Sequence, residues 1–196
     1  MNQPHAPIAD TSLSNGIGPT STSVSRLVEE QFIDTFLRNN GKAHIGLFLS
    51  AVVAALIWNE RVPGMWPMVW LAVFALVTGW RHLKTSEFVM SAPESDRFRR
   101  IEITLLVNGA LMAVPLSAFA EYSELERMAI SIILMATATA STTTTSGYRS
   151  VFLAFALPML APLALAWALT PHPDANWLST WGISVLILFY LGFLVN

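Results

Sequence analysis

The chain has 196 residues, of which 54% are hydrophobic and only 12% charged, with a formal net charge of −2. Soluble domains carry about 25% charged residues, so this composition points to lipid as the solvent. The absence of cysteine excludes disulfides, Cys-ligated zinc, iron–sulfur clusters and thiol redox chemistry within the chain.

Met1–Ser23 is rich in Ser, Thr, Pro, Asn and Gly and reads as a disordered cytoplasmic tail. It holds no apolar run behind a basic start, hence no cleavable secretory signal. Positions 24–40 follow as an amphipathic cytoplasmic helix. Val24, Leu27, Val28, Phe32 and Phe36 recur at helical spacing, with Arg26, Glu29, Glu30, Asp34 and Arg38 on the remainder. Ser23 or Ser25 can cap its start and Asn39-Asn40-Gly41 supplies a stop. Surface-adsorbed helices usually carry a basic polar face. This one is net acidic, so it is expected to pack on the bundle or on a partner.

Six apolar stretches then follow: Ala43–Asn59, Met65–Trp80, Ile101–Ala120, Met128–Gly147, Ser150–Leu169 and Trp177–Val195. A spanning helix needs about 20 largely apolar residues. The first two stretches are short and must borrow flanking residues such as Lys42 or Val62–Gly64. The expected fold class is all-α: a polytopic membrane protein with a six-transmembrane-helix domain over 43–195. With the amino terminus in the cytoplasm, Arg26, Arg38, Lys42, Arg81, Lys84, Arg97, Arg99, Arg100 and Arg149 lie inside, and only Arg61 and Arg127 face out. Such sidedness in short loops is the positive-inside pattern and places both termini in the cytoplasm. Arg81–Arg100 reads as the main inner loop, with cations that also meet anionic lipid head groups. Trp58, Trp66, Tyr122, Trp167 and Trp177 near the outer boundary, with Trp80 and Tyr148 near the inner one, read as interfacial belts.

The fourth stretch ends in Ala136–Ser141 followed by Thr142–Thr145 and Ser146. Small residues allow close helix approach and hydroxyls bond across or back to their own helix, so this helix is expected at the centre of the bundle. Pro158 and Pro162 free backbone carbonyls in the fifth stretch and Pro115 acts likewise in the third.

Chemistry-bearing residues are few. Glu102 lies near Arg99 at (i, i+3) spacing, an expected ion pair at the inner interface. Asn108 is the deepest strongly polar side chain, and with Thr139 and Thr143 it forms the set of candidate polar bundle positions. Among the histidines, His5 is in the tail, His44 opens the first stretch, His82 is in the inner segment, and His172 neighbours Asp174 in the outer loop Thr170–Asn176. No two share a helix at ligand spacing, so no metal site and no cofactor is expected. Whether His44 and His82 meet at the inner face is not legible from sequence. Gly16-Ile17-Gly18 lacks the strand and helix of a dinucleotide fingerprint. No nucleophile–base pair, paired intramembrane carboxylates or phosphate loop appears, and topology accounts for the basic residues, leaving no case for catalysis or nucleic-acid binding.

Leu27-Val28-Glu29-Glu30-Gln31, Phe36-Leu37-Arg38-Asn39, Trp70-Leu71-Ala72, Trp80-Arg81, Arg97–Arg100 and Phe152–Pro158 with Pro162 together resemble an amino-terminal six-helix membrane domain. That domain belongs to bacterial diguanylate cyclases and sensor histidine kinases. The likeness runs from Leu27 to Asn196. It implies an input and anchoring module in the bacterial inner membrane, forming a homodimer and controlling a cytoplasmic output domain in cyclic di-GMP or two-component signalling. It carries over no binding residues. The sixth stretch stops at Val195-Asn196 with no basic anchor behind it, as expected of a module that precedes something else. A small carrier or channel, with a path lined by Asn108, Thr139 and Thr143, and a structural assembly partner are the alternatives.

Overall fold

The computed structural model describes residues 21–62, 64–145, 148–170 and 177–195, with side chains placed for most of them. Of the tail expected to be disordered over 1–23, residues 1–20 lie outside the described residues, as do His172 and Asp174, while Ser21–Ser23 are the first residues of a helix. Every described element is helical: α1 (Ser21–Arg61), α2 (Trp66–Met90), α3 (Arg97–Ala113), α4 (Glu124–Thr145), α5 (Arg149–Leu169) and α6 (Trp177–Val195), with 3₁₀ segments at Glu94–Asp96 and Val114–Glu121. Among the described residues, two apolar stretches are long enough to cross a membrane, Glu94–Glu121 and Arg149–Leu169, with a shorter one at Trp181–Val195.

Helix α1 corrects the sequence reading. It runs unbroken for 41 residues through Asn39-Asn40-Gly41, so the surface helix and the first apolar stretch are one rod of about 60 Å. Weak propensities cost at most about 1 kcal/mol per residue, and packing on both sides of the weak point outweighs that. Phe32, Ile33 and Phe36 are buried before it, and Leu47, Ala51, Ala54, Ala55 and Trp58 after it. The surface segment does pack on the bundle: Phe32 sits 5.5 Å from Phe98 and 4.1 Å from Tyr148, ring centre to ring centre.

Helix α2 also outruns its expected end. Residues 81–90 continue it as two further turns and more, and Ala92-Pro93 ends it. The expected inner loop is therefore mostly helix. Pro67 occupies the first turn of α2, where its missing N–H costs nothing. Gly64 has φ +151° in the tight α1–α2 connection, a conformation open to glycine and costly for other residues. Pro115 acts as the sequence suggests: α3 gives way there to the 3₁₀ segment.

Helices α1, α2, α3, α5 and α4 form a closed ring of neighbours in that order, with α6 laid on α5. The hub is α5 rather than the Ser/Thr-rich α4. It contacts α3, α4, α6 and the 3₁₀ segment, and buries Phe152, Phe155, Met159, Leu160, Leu163 and Trp167. The Ala/Thr run of α4 leaves Ala136, Thr139 and Ala140 exposed. Its hydroxyls mostly bond back to their own helix, Thr137 to the Ile133 carbonyl at 2.7 Å and Thr145 to that of Ser141 at 2.9 Å. Self-satisfied hydroxyls need no close neighbour.

The tightest crossing is between α3 and α5. A Cβ placed on Gly109 would lie 2.2 Å from the Phe155 carbonyl oxygen and 2.8 Å from the Pro158 ring. Only a residue without a side chain lets the two backbones approach this closely. Gly109→Ala must push α3 off α5, and it should lower stability by about 1–3 kcal/mol, read by thermal unfolding in detergent micelles. Gly79→Ala, whose Cβ meets nothing within 4 Å, should be neutral or gain up to about 1 kcal/mol from helix propensity. Equal melting of the two variants would contradict the crossing.

Candidate functional site between α1 and α2

Charge in the bundle collects at its two ends. One end holds Glu60, Arg61, Glu121, Glu124, Glu126 and Arg127. The Arg61 Nε donates to both Glu126 carboxylate oxygens at 2.9 and 2.8 Å, joining α1 to α4. Ser123 and Glu126 form a reciprocal helix cap, the Ser123 N–H donating to the carboxylate at 2.7 Å and the Glu126 N–H to the serine hydroxyl at 3.4 Å. The Ser-x-x-Glu spacing is a sequence signature of that cap, a signal the motif search passed over. These partners hold the Glu126 carboxyl well below the usual range, at about 2, with the Arg61 hydrogen bond the largest cause. Arg127 is buried and its guanidinium donates to the Phe119 and Ala120 carbonyls at 3.1 and 2.9 Å. It closes the end of the 3₁₀ segment, where a cation suits the helix dipole. Burial pushes the Tyr122 phenol upward, so it stays a donor, bonded to the Pro115 carbonyl at 2.9 Å.

Three of the expected belt residues are core residues instead. Trp58 packs edge-on against Trp70 at 5.9 Å, Trp167 against Phe119 at 5.3 Å, and Tyr122 is 2% exposed. Trp66 and Trp80 are exposed, as a belt requires.

The candidate polar positions do not converge. Asn108 is 0% exposed on α3, and neither atom of its amide has a hydrogen-bond partner among the described residues. Thr139 is exposed on α4 and bonds to the Tyr190 hydroxyl of α6 and to the Met135 carbonyl. The Thr143 side chain lies outside the described residues. A sealed amide and an exposed hydroxyl on helices that are not close neighbours do not line a common path. Arg99 is exposed and Glu102 half-buried. Ion pairs form instead at Arg61–Glu126 and Lys84–Glu87. With one turn of freedom at the helix start, two solvated side chains gain little by pairing.

A different constellation forms toward the opposite end of the bundle, where the middle of α1 faces α2. His44 of α1 lies edge-on to His82 of α2, ring centres 5.4 Å apart. Thr78, Arg81 and Thr85 share the adjoining face of α2, and all three are buried, as is His44. The Arg81 charge and the His82 ring both lie within electrostatic reach of the His44 imidazole. Thr85 is engaged by its own helix, donating to the Arg81 carbonyl at 2.5 Å. Both His44 ring nitrogens and the Thr78 hydroxyl are buried without a hydrogen-bond partner among the described residues. Such orphaned groups are costly, and their concentration beside a buried cation marks a candidate polar site. Sequence reasoning passed over Thr78 and treated Arg81 as a loop cation. The usable signal was the i, i+3, i+4, i+7 spacing of Thr78, Arg81, His82 and Thr85 on one helix face. Among the described residues no group of three or more His, Asp or Glu could hold a metal ion.

Because the folded pKa of Glu126 is depressed, its pairing with Arg61 stabilises the fold above the ordinary carboxylate pKa. That contribution fades as pH falls below about 4.5 toward about 2. A carbon NMR titration of the Glu126 carboxyl should therefore show a midpoint at about 2, and Arg61→Gln should return it toward ordinary values. Asn108→Leu removes an unsatisfied amide and should raise stability by about 1 kcal/mol or more in thermal unfolding; a loss would mean the amide is satisfied. Comparison of the chain with protein-family models, curated proteins and solved structures returned no match.

Proposed function

We propose that the chain is a six-span sensory and anchoring module of the bacterial inner membrane, with both termini cytoplasmic. It acts as a homodimer that controls a cytoplasmic diguanylate cyclase or histidine kinase domain. The reading assigns no catalytic step and no cofactor to the chain itself. Its membrane part is supported by what the helices turn outward between their charged ends. Leu49, Val53 and Leu56 of α1, Val69, Val73 and Leu76 of α2, Leu106 of α3, Ile132 of α4, Leu157 of α5 and Val185 and Phe189 of α6 are all exposed. An apolar exterior on that scale is a poor surface for water and an ordinary one for acyl chains.

The observation that carries the sensory part is the unbroken α1. At about 60 Å it is twice the hydrocarbon thickness of about 30 Å. The rod is tied at its outer end by the Arg61–Glu126 bridge and at its inner end by Phe32 against Phe98 and Tyr148. The His44 cluster lies between the two ties. A stimulus that changes how α1 sits on α2 is thereby felt at the cytoplasmic aromatic cluster, next to the start of α3 and of α5. Driving such a two-state element from 1:99 to 99:1 requires a differential of about 5.5 kcal/mol. The carrier reading loses support because Asn108 and Thr139 lie apart.

The test is a fusion of the chain to a diguanylate cyclase domain, with cyclic di-GMP measured at matched membrane abundance. Phe32→Ala, which unpins the inner end of α1, should change output several-fold in either direction. Output indifferent to that change and to replacement of the six helices by an unrelated anchor would leave anchoring alone.

A further inference from the structure

We infer that the middle of α1 and the stretch of α2 that faces it form a binding site for a phosphate-class anion. Three side chains supply it. His44 is 7% exposed, Thr78 5% and Arg81 4%, and the orphaned atoms are both nitrogens of the imidazole and the threonine hydroxyl. An imidazole offers an N–H donor, a hydroxyl another, and a guanidinium a planar fork of donors that fits phosphate oxygens. The neighbourhood on these two helices is free of carboxylates: α1 has no acidic residue between Asp34 and Glu60, and α2 none before Glu87. Glu87 is engaged with Lys84.

A metal ion is the obvious rival where two histidines sit 5.4 Å apart. The Arg81 guanidinium within electrostatic reach of His44 argues against a cation and for an anion, since a second positive charge would be repelled in a medium of low dielectric. The entry side is set by His82, which is exposed while its neighbour His44 is buried. It lies two residues past the exposed Trp80, at the level where the apolar exterior gives way to charge and where lipid phosphates reside. The chemistry is shared by a lipid phosphodiester and by free phosphate. As the input of a sensor, the site rests on the reading proposed above; as a binding site it stands independently of it.

The full chain is purified in maltoside micelles, which contain no phosphate, and ¹⁵N-histidine NMR is recorded for His44 and His82. Inorganic phosphate and, separately, phosphatidylglycerol are titrated in, with zinc as a third probe. Saturable shifts at His44 with phosphate identify a soluble anion, and shifts with phosphatidylglycerol alone identify a lipid head group. Thr78→Val, which keeps shape and removes one donor, should weaken either binding about tenfold. Arg81→Gln should abolish it, and His82→Gln should leave the fold intact for comparison. No saturable shift with either phosphate probe, zinc binding in their place, or affinity unchanged in Thr78→Val would overturn the assignment. None of these outcomes depends on the cyclase fusion, so the site and the sensory reading fail separately.

Discussion

The fold rests on one constraint: the outward faces of these helices are apolar, so their backbone polar groups must be satisfied inside each helix. In the hydrocarbon proposed above as its solvent, an open N–H or C=O would cost several kcal/mol, which would leave helices as the available element. The same solvent would remove the hydrophobic drive between helices, since lipid tails are as apolar as leucine. What brings helices together is then close contact and a small number of polar ties. Both are visible here. Gly109 lets α3 meet the backbone of α5, while Trp70 donates to the Leu111 carbonyl, Ser184 to that of Ala164, and Trp167 to the Ser131 hydroxyl, each linking two helices.

From that follows a division of labour along the bundle. The centre is packed on α5 and is nearly without charge. The ends are polar but differ in kind. At the end with Arg61 and Glu126 each described charge that is buried or paired has a partner that closes a helix terminus: Glu126 caps α4 and Arg127 caps the 3₁₀ segment. Toward the other end, where the middle of α1 faces α2, His44 and Thr78 are buried with polar atoms that have no partner among the described residues. Structural polar groups are normally satisfied, so the contrast separates an end built for stability from an end built for something else. Helix α1 reaches from one to the other and beyond.

Much of this was legible in the sequence. Apolar length located all six helices, Pro115 pointed to a disturbance of the third, which turns 3₁₀ there, and the acidic amphipathic segment was expected on the bundle or on a partner. The misses share a cause. Asn39-Asn40-Gly41 is a good local stop and Arg81 a good loop cation, but local propensity of order 1 kcal/mol yields to tertiary burial. Phe36, Leu47 and Arg81 are all buried in helices that run through those points. The choice of α5 over α4 as hub was hidden because small and hydroxyl residues signal close approach only when their hydroxyls are not already bonded within the helix. Trp58, Tyr122 and Trp167 were assigned to belts from depth alone, and depth does not reveal which face of a helix a side chain occupies. The His44–Thr78–Arg81 cluster needed two helices in register, a relation no single segment records.

The central claim, a bundle solvated by lipid with its two charged ends on opposite sides, is tested most directly by labelling. The chain has no cysteine, so single substitutions Glu60→Cys and Glu87→Cys, both at exposed positions, give clean reporters in spheroplasts. An impermeant maleimide should label position 60 in intact spheroplasts and position 87 only after the membrane is opened. Equal labelling of both from outside, or recovery of the chain in the soluble fraction, would contradict the account.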